Sequence, residues 1–177
     1  MPLPGTSTLV KRLSGVRETL GTLGLDALIV TNSGNVRYLS NHVGTAGILV
    51  VTGDATHLLV DARYSESARA LQQSPAACPG LQTWRVPGGY DEALVGCLKE
   101  IGARATGFEA AHLTVARHAW IREAVEPSGA SVRLQATERV VERARLIKDA
   151  EEVATLRAAA AALSGVAEAA FRAVAPG

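Results

Sequence analysis

Gly47-Ile48-Leu49-Val50-Val51-Thr52-Gly53-Asp54-Ala55-Thr56-His57-Leu58-Leu59-Val60-Asp61 holds two apolar runs joined by a three-residue Gly-Asp-Ala link. Runs of this length and composition, with so short a turn between them, read as a β-hairpin. Upstream, Leu25-Asp26-Ala27-Leu28-Ile29-Val30-Thr31 is a third apolar run, short enough for a strand buried on both faces. Before it, Leu9, Leu13, Val16, Leu20 and Leu23 recur at steps of four and three, which predicts an amphipathic helix over about 8–23. Gly24 then supplies a left-handed cap. Asn32-Ser33-Gly34-Asn35 is a turn cluster, and Val36-Arg37-Tyr38-Leu39 forms a short helical turn.

Downstream, helix and strand signals alternate. A polar helix runs from Tyr64 to about Gln73 and is stopped by Pro75 and Pro79-Gly80. Strands are predicted at 83–86, 106–109 and 131–134, with helices at 93–101 and 115–125 between them. An early hairpin followed by β-α-β alternation predicts an α/β fold, a mixed sheet with helices on both faces. Leu28, Val30, Ile48, Val50, Leu58 and Val60 are its expected central core. From Lys148 to about 175 the chain turns alanine-rich and helix-forming. Val153, Leu156, Ala160, Leu163, Ala167, Ala170 and Val174 mark a long apolar seam there.

Composition narrows the function. Apolar residues make up 47% of the 177, enough for a real core. The net charge of +1 and the 4% of aromatic residues leave no basic, base-stacking surface, so no nucleic acid partner is expected. Apolar runs are of strand length, so no membrane span is expected, and the first residues do not read as a signal peptide. Cys78 and Cys97 alone make neither a disulfide framework nor a zinc site, which suits a reducing cytoplasm.

The search for chemistry returns little. His112 and His118, six apart, share no helix face and make a poor metal pair. Glu109-Ala110-Ala111-His112 has a Glu-x-x-His spacing, but it occurs once and at a strand end, so it reads as a chance match. Phosphate loops and Gly-x-Ser-x-Gly elbows are missing. Asp61 and Arg63 stand at the end of a predicted strand, where α/β proteins collect functional groups and where a plain structural salt bridge also fits.

Three segments in order carry a resemblance: Leu25–Asn32 leading to Asn35-Val36-Arg37-Tyr38-Leu39-Ser40; Gly44-Thr45-Ala46-Gly47-Ile48-Leu49-Val50-Val51 with Leu58-Leu59-Val60-Asp61-Ala62-Arg63-Tyr64; and Arg145-Leu146-Ile147-Lys148-Asp149-Ala150-Glu151-Glu152. Together they resemble the creatinase/prolidase-type N-terminal domain of the Xaa-Pro peptidase (pita-bread metallopeptidase) family. The resemblance implies a ribonuclease-H-like α/β domain over 1–143. It implies that 144–177 is a linker with the first helix of a catalytic domain. That domain's metal set, two Asp, one His and two Glu holding two divalent ions (manganese, cobalt or zinc), would lie beyond Gly177. The chain itself is thus expected to hold no catalytic residue and no metal.

The resemblance further implies a homodimer in which this domain caps the site that takes peptide substrate. Asp61, Arg63 and Tyr64 are the candidates for projection toward that site, with Arg63 able to pair with a substrate carboxylate; the alternative is that Asp61 and Arg63 only stabilise the strand end. After Ser40 the family commonly has Gly and an aromatic residue, whereas this chain has Asn41 and His42. His42 is therefore either a pocket residue or a solvated loop histidine. A creatinase-like amidinohydrolase and a stand-alone peptide-binding module are the other functions the same fold serves.

Overall fold

The computed structural model describes residues 3–125 and 132–174. The described residues form two compact units, Leu3–Ala144 and a second beginning at Arg145. In the first unit, α1 (Thr6–Leu23), β1 (Ala27–Val30), α2 (Ser33–Ser40), β2 (Ile48–Thr52), β3 (Thr56–Val60) and α3 (Ala62–Gln72) come first. β4 (Leu81–Arg85), α4 (Tyr90–Glu100), β5 (Ala105–Glu109), α5 (Val115–Val125) and β6 (Arg133–Thr137) follow, and α6 (Val140–Leu146) runs from this unit into the second. The strands make one mixed sheet in the order β4-β3-β2-β1-β5-β6.

The hairpin is present. β2 and β3 pair antiparallel with Leu49 opposite Leu58, and β1 lies antiparallel to β2 with Ile29 opposite Val50. Strand alternation then sorts the side chains into two layers. Leu28, Val30, Leu49, Val51, Leu58 and Val60 pack with apolar residues of α1, α2 and α6. Ala27, Ile29, Ile48, Val50 and Leu59 pack on the other face with residues of α4 and α5. All six residues expected in the central core are buried. Each such aliphatic side chain removed from water contributes roughly 1.5–3 kcal/mol.

Helix α1 buries Leu9, Leu13, Val16 and Leu20, and Gly24 closes it at φ 63°. Leu23, read as part of the stripe, is instead exposed, because it sits in the last turn where the chain leaves for β1. Arg12 is buried beside the same stripe. Its guanidinium donates to the Tyr38 carbonyl at 2.9 Å and lies 4.0 Å from the Tyr38 ring centroid. Helix α2 is longer than the expected turn because the Asn32 side chain accepts from the Asn35 N–H and caps it. Strand β6 begins later than expected, and Ser131 of the expected strand lies outside the described residues. Helix α6 was not foreseen.

The second unit contains α7 (Ala150–Ala173), which begins one residue after the Asp149 N-cap. Asp149 and Glu152 form a reciprocal capping box at 2.9 and 3.1 Å. By length and composition alone α7 is apolar enough to cross a membrane. That corrects the reading that every apolar run is of strand length: α7 draws its apolarity from alanine, which a search for runs of Val, Leu and Ile passes over.

His57 is buried on β3 and accepts a hydrogen bond at Nδ1 from the Trp84 indole N–H at 3.1 Å. Burial pushes its pKa below the ordinary value, against the opposing pull of Asp54 and Glu100. The unfolded chain therefore binds a proton at this residue more readily than the folded one. Stability linked to His57 is full above an unfolded pKa of about 6.5 and falls as pH drops through and below it. Denaturant unfolding followed by tryptophan fluorescence should show a lower midpoint at about pH 5.5 than at about pH 7.5. A His57→Gln variant, whose side-chain oxygen also accepts from Trp84, should lose part of that difference; an unchanged difference would refute the assignment.

Candidate functional site

Four chain segments meet at one end of the sheet. Thr31 follows β1, β2 starts at Ile48, Asp61 follows β3, and residues 41–47 cross between α2 and β2. Asp61 caps α3: its Oδ1 accepts from the Arg63 N–H at 2.9 Å. The same carboxylate accepts two bonds from one edge of the Arg63 guanidinium, Nε to Oδ1 at 3.1 Å and Nη2 to Oδ2 at 2.7 Å. Tyr90, the first residue of α4, donates its hydroxyl to Asp61 Oδ2 at 3.0 Å and accepts from the Asp61 N–H at 3.2 Å. The Arg63 bond, above all, holds the Asp61 carboxyl far below the usual carboxylate range, with Tyr90 adding to it. Burial, first of all, raises the Tyr90 hydroxyl, so it stays a donor. Arg63 remains largely exposed, with 68% of its side chain open.

Tyr64 joins this group to the crossing loop. Its hydroxyl lies 2.7 Å from Thr45 Oγ1 and accepts from the Thr45 N–H at 3.3 Å. These bonds lower its pKa. The Arg63 guanidinium carbon is 5.3 Å from the Tyr64 ring centroid, and the His42 ring meets Tyr64 edge-on at 5.5 Å. His42 is buried, not solvated. Its Nε2 lies 3.0 Å from the Ala46 carbonyl, which can only accept, so that nitrogen carries the proton. Gly44 and Gly47 make room for this ring. A Cβ on Gly44 would fall well inside van der Waals contact with His42 Nε2, and one on Gly47 would lie 3.2 Å from the ring.

The four residues singled out from sequence thus form one contiguous group. A cavity of about 220 Å³ beside it is lined by His42, Thr31, Ser33, Thr45, Tyr90 and Arg117, among others. Of the four, only His42 lines it. Tyr90 and Arg117 went unnoticed in the sequence; nothing local indicates that a tyrosine opening α4 reaches back 29 residues to Asp61.

A second polar group lies at the adjoining end of β5. Glu109 is buried and accepts from the N–H groups of Thr31 at 2.7 Å and Asn32 at 2.8 Å. The Asn35 side-chain amide donates to Glu109 Oε1 and to Glu142 Oε1, each at 2.6 Å. Asn32 Oδ1 is used by the Asn35 N–H, so its amide nitrogen faces His112 Nε2 at 2.6 Å, and that nitrogen accepts. The Glu-x-x-His spacing dismissed as chance therefore brackets Asn32 and fixes the start of α2. It does not suit a metal. Glu109 and Glu142 are both turned onto an amide donor, and among the described residues no three His, Cys, Asp or Glu are placed to hold an ion.

The creatinase/prolidase N-terminal domain family matches residues 12–147, most of the first unit and its exit through α6. The chain belongs to the creatinase/prolidase N-terminal domain family. Its fold superposes on the Xaa-Pro dipeptidase from Bacillus anthracis with a TM-score of 0.83 at 26% identity, over 96% of this chain and 44% of that one. The N-terminal domain of the cytoplasmic peptidase PepQ from Mycobacterium tuberculosis H37Rv matches at a TM-score of 0.65 and 29% identity, over 76% of this chain and 98% of that one. An uncharacterized peptidase of Bacillus subtilis (strain 168), YqhT, is 28% identical over 149 residues, 84% of this chain and 39% of the relative. The chain therefore spans less than half the length of the two longer relatives. This creatinase/prolidase domain is similar to domains of Xaa-Pro peptidases, and its own described residues hold no site for the metals such peptidases imply.

Proposed function

We propose that this domain is the non-catalytic N-terminal part of a proline-specific metallopeptidase, a cytoplasmic Xaa-Pro dipeptidase or aminopeptidase, and that it caps the substrate site and helps form a homodimer. The contiguity of His42, Asp61, Arg63 and Tyr64 around one end of the sheet carries this reading. In it, Asp61 and Tyr90 hold Arg63 in a fixed orientation, and Arg63 presents charge at the mouth of a site completed by other parts of the protein. A guanidinium already tied by two bonds along one edge loses little conformational freedom when another group meets its open edge. The division at about residue 143, with 144–177 leading into a catalytic domain that holds two divalent ions, belongs to the same proposal.

The pairing is open to a direct test. Leu156 and Leu163 are seven residues apart and so share a face of α7, within a seam of steps three and four. Burying that seam against a second copy gains roughly 25 cal/mol per Å² of apolar surface. Much of the seam is alanine, so the dimer should be weak. Light scattering of the chain should give a mass that rises with concentration toward twice the monomer. Replacing both leucines with glutamate should hold it at the monomer mass with circular dichroism unchanged. A concentration-independent monomer would exclude pairing through this chain.

A further inference from the structure

We infer that the cavity beside His42 binds a carboxylate, and that Arg117 supplies the cation that meets it inside the cavity, while Arg63 stands outside it at the mouth. This deepens the reading above, on which the identification of the ligand as one end of a short peptide rests; the anion site itself stands on geometry.

Arg117 sits in the first turn of α5, where its N–H is fixed by Thr114 Oγ1 at 3.2 Å. Its Nε donates to Asp91 Oδ1 on α4. Nη1 and Nη2 have no hydrogen bond among the described residues, and the side chain is 27% exposed where it lines the cavity. The guanidinium is thus anchored by one edge and open at the other, the arrangement that takes a carboxylate in a two-point contact. Arg63 differs in place: it is tied side-on to Asp61 and does not line this cavity.

The other lining groups suit the same ligand. Ser33 opens α2, whose positive end favours an anion, and its N–H finds no acceptor among the described residues. Thr31, Ser33, Thr45 and Tyr90 also line it; the hydroxyls of Thr31, Thr45 and Tyr90 are held by Glu109, Tyr64 and Asp61, and no bond of this kind engages the Ser33 hydroxyl among the described residues. The carboxylates nearby are each engaged elsewhere: Asp91 with Arg117 Nε, Asp61 with Arg63 and Tyr90, and Glu109 with Thr31, Asn32 and Asn35.

Charge and size define the ligand. One cation, partly compensated by Asp91, matches a monoanion better than a phosphate dianion. A volume of about 220 Å³ is below the roughly 300–1,000 Å³ of pockets that enclose a whole small molecule. It takes one residue-sized end of a molecule whose remainder stays outside.

NMR titration of the full chain tests the site, with N-acetylalanine as the carboxylate probe and N-acetylalaninamide as its neutral counterpart. The acid should give saturable shifts at the Arg117 Nε–H and the Ser33 and Thr45 amides, and the amide should bind about tenfold more weakly or not at all. Arg117→Gln should abolish the response to the acid, with the Trp84 indole signal unmoved as evidence of an intact fold. Asp91→Asn, which removes the competing charge, should strengthen it. Equal shifts from acid and amide in the wild type, acid binding that persists in Arg117→Gln, or tighter binding of inorganic phosphate would each overturn the inference. The titration needs neither a dimer nor catalysis, so its failure leaves the capping role standing, and failure of that role leaves this result intact.

Discussion

Replacing Glu109 with alanine is expected to destabilise the domain by about 3–5 kcal/mol, the cost of stranding several buried donors at once. The carboxylate accepts from the N–H groups of Thr31 and Asn32 and from the Asn35 side chain, all within 2.8 Å, and it is itself buried. Alanine leaves these donors facing a space with no acceptor. Glutamine would not restore them, since one of its two terminal atoms is itself a donor turned toward donors. Domains of this size carry only about 5–15 kcal/mol of net stability, so the variant should sit near the edge of folding. Its thermal midpoint should fall by about 10 °C or more relative to wild type. A fall of only a degree or two would mean that water enters and satisfies the start of α2, and that Glu109 is not what fixes it. The effect should extend to the cavity, because Thr31 and Ser33 line it and stand on either side of Asn32.

The hairpin, the buried β1 and the alternation of helices were legible because each is written in local periodicity and turn chemistry. Val50 faces one layer and Val51 the other simply because side chains alternate along a strand. The seam of α1 was legible for the same reason, and Leu23 departed from it only at the last turn. The group of Asp61, Arg63, Tyr64 and His42 was reached through three segments that match a family in order. What periodicity does not encode is a hydrogen bond across the chain. Tyr90 to Asp61, Asn35 to Glu142 and Arg117 to Asp91 link residues 26–107 positions apart, and each depends on which strand ends the sheet order brings together. His42 shows the same limit from the other side. Its sequence neighbours Asn41 and Val43 suggest an open loop, yet Gly44, Gly47 and Tyr64 enclose the ring.

Arg63→Ala should have the second large effect, and it should appear only where a complete substrate site exists. In the isolated chain the Arg63–Asp61 pair is a surface ion pair, and such pairs contribute little to stability. Asp61 keeps its partner Tyr90 and its capping bond to the backbone of residue 63, so the fold should survive the change. If Arg63 faces a substrate site, its loss should lower kcat/KM by about tenfold or more, mainly through KM, because a binding contact at the mouth is removed and the chemistry is not. If Arg63 only steadies the end of β3, neither constant should move.

The capping role is tested most directly in a chimera. This chain would replace the matched 44% of the Bacillus anthracis Xaa-Pro dipeptidase, and hydrolysis of Xaa-Pro dipeptides would be measured with manganese, cobalt or zinc supplied. The account predicts that the chain alone hydrolyses nothing, that the chimera is active, and that Arg63→Ala in the chimera loses about tenfold or more in kcat/KM with its thermal midpoint unchanged. Hydrolysis that travels with the isolated chain through size exclusion, or an active chimera whose kcat/KM is indifferent to Arg63 and His42, would contradict it.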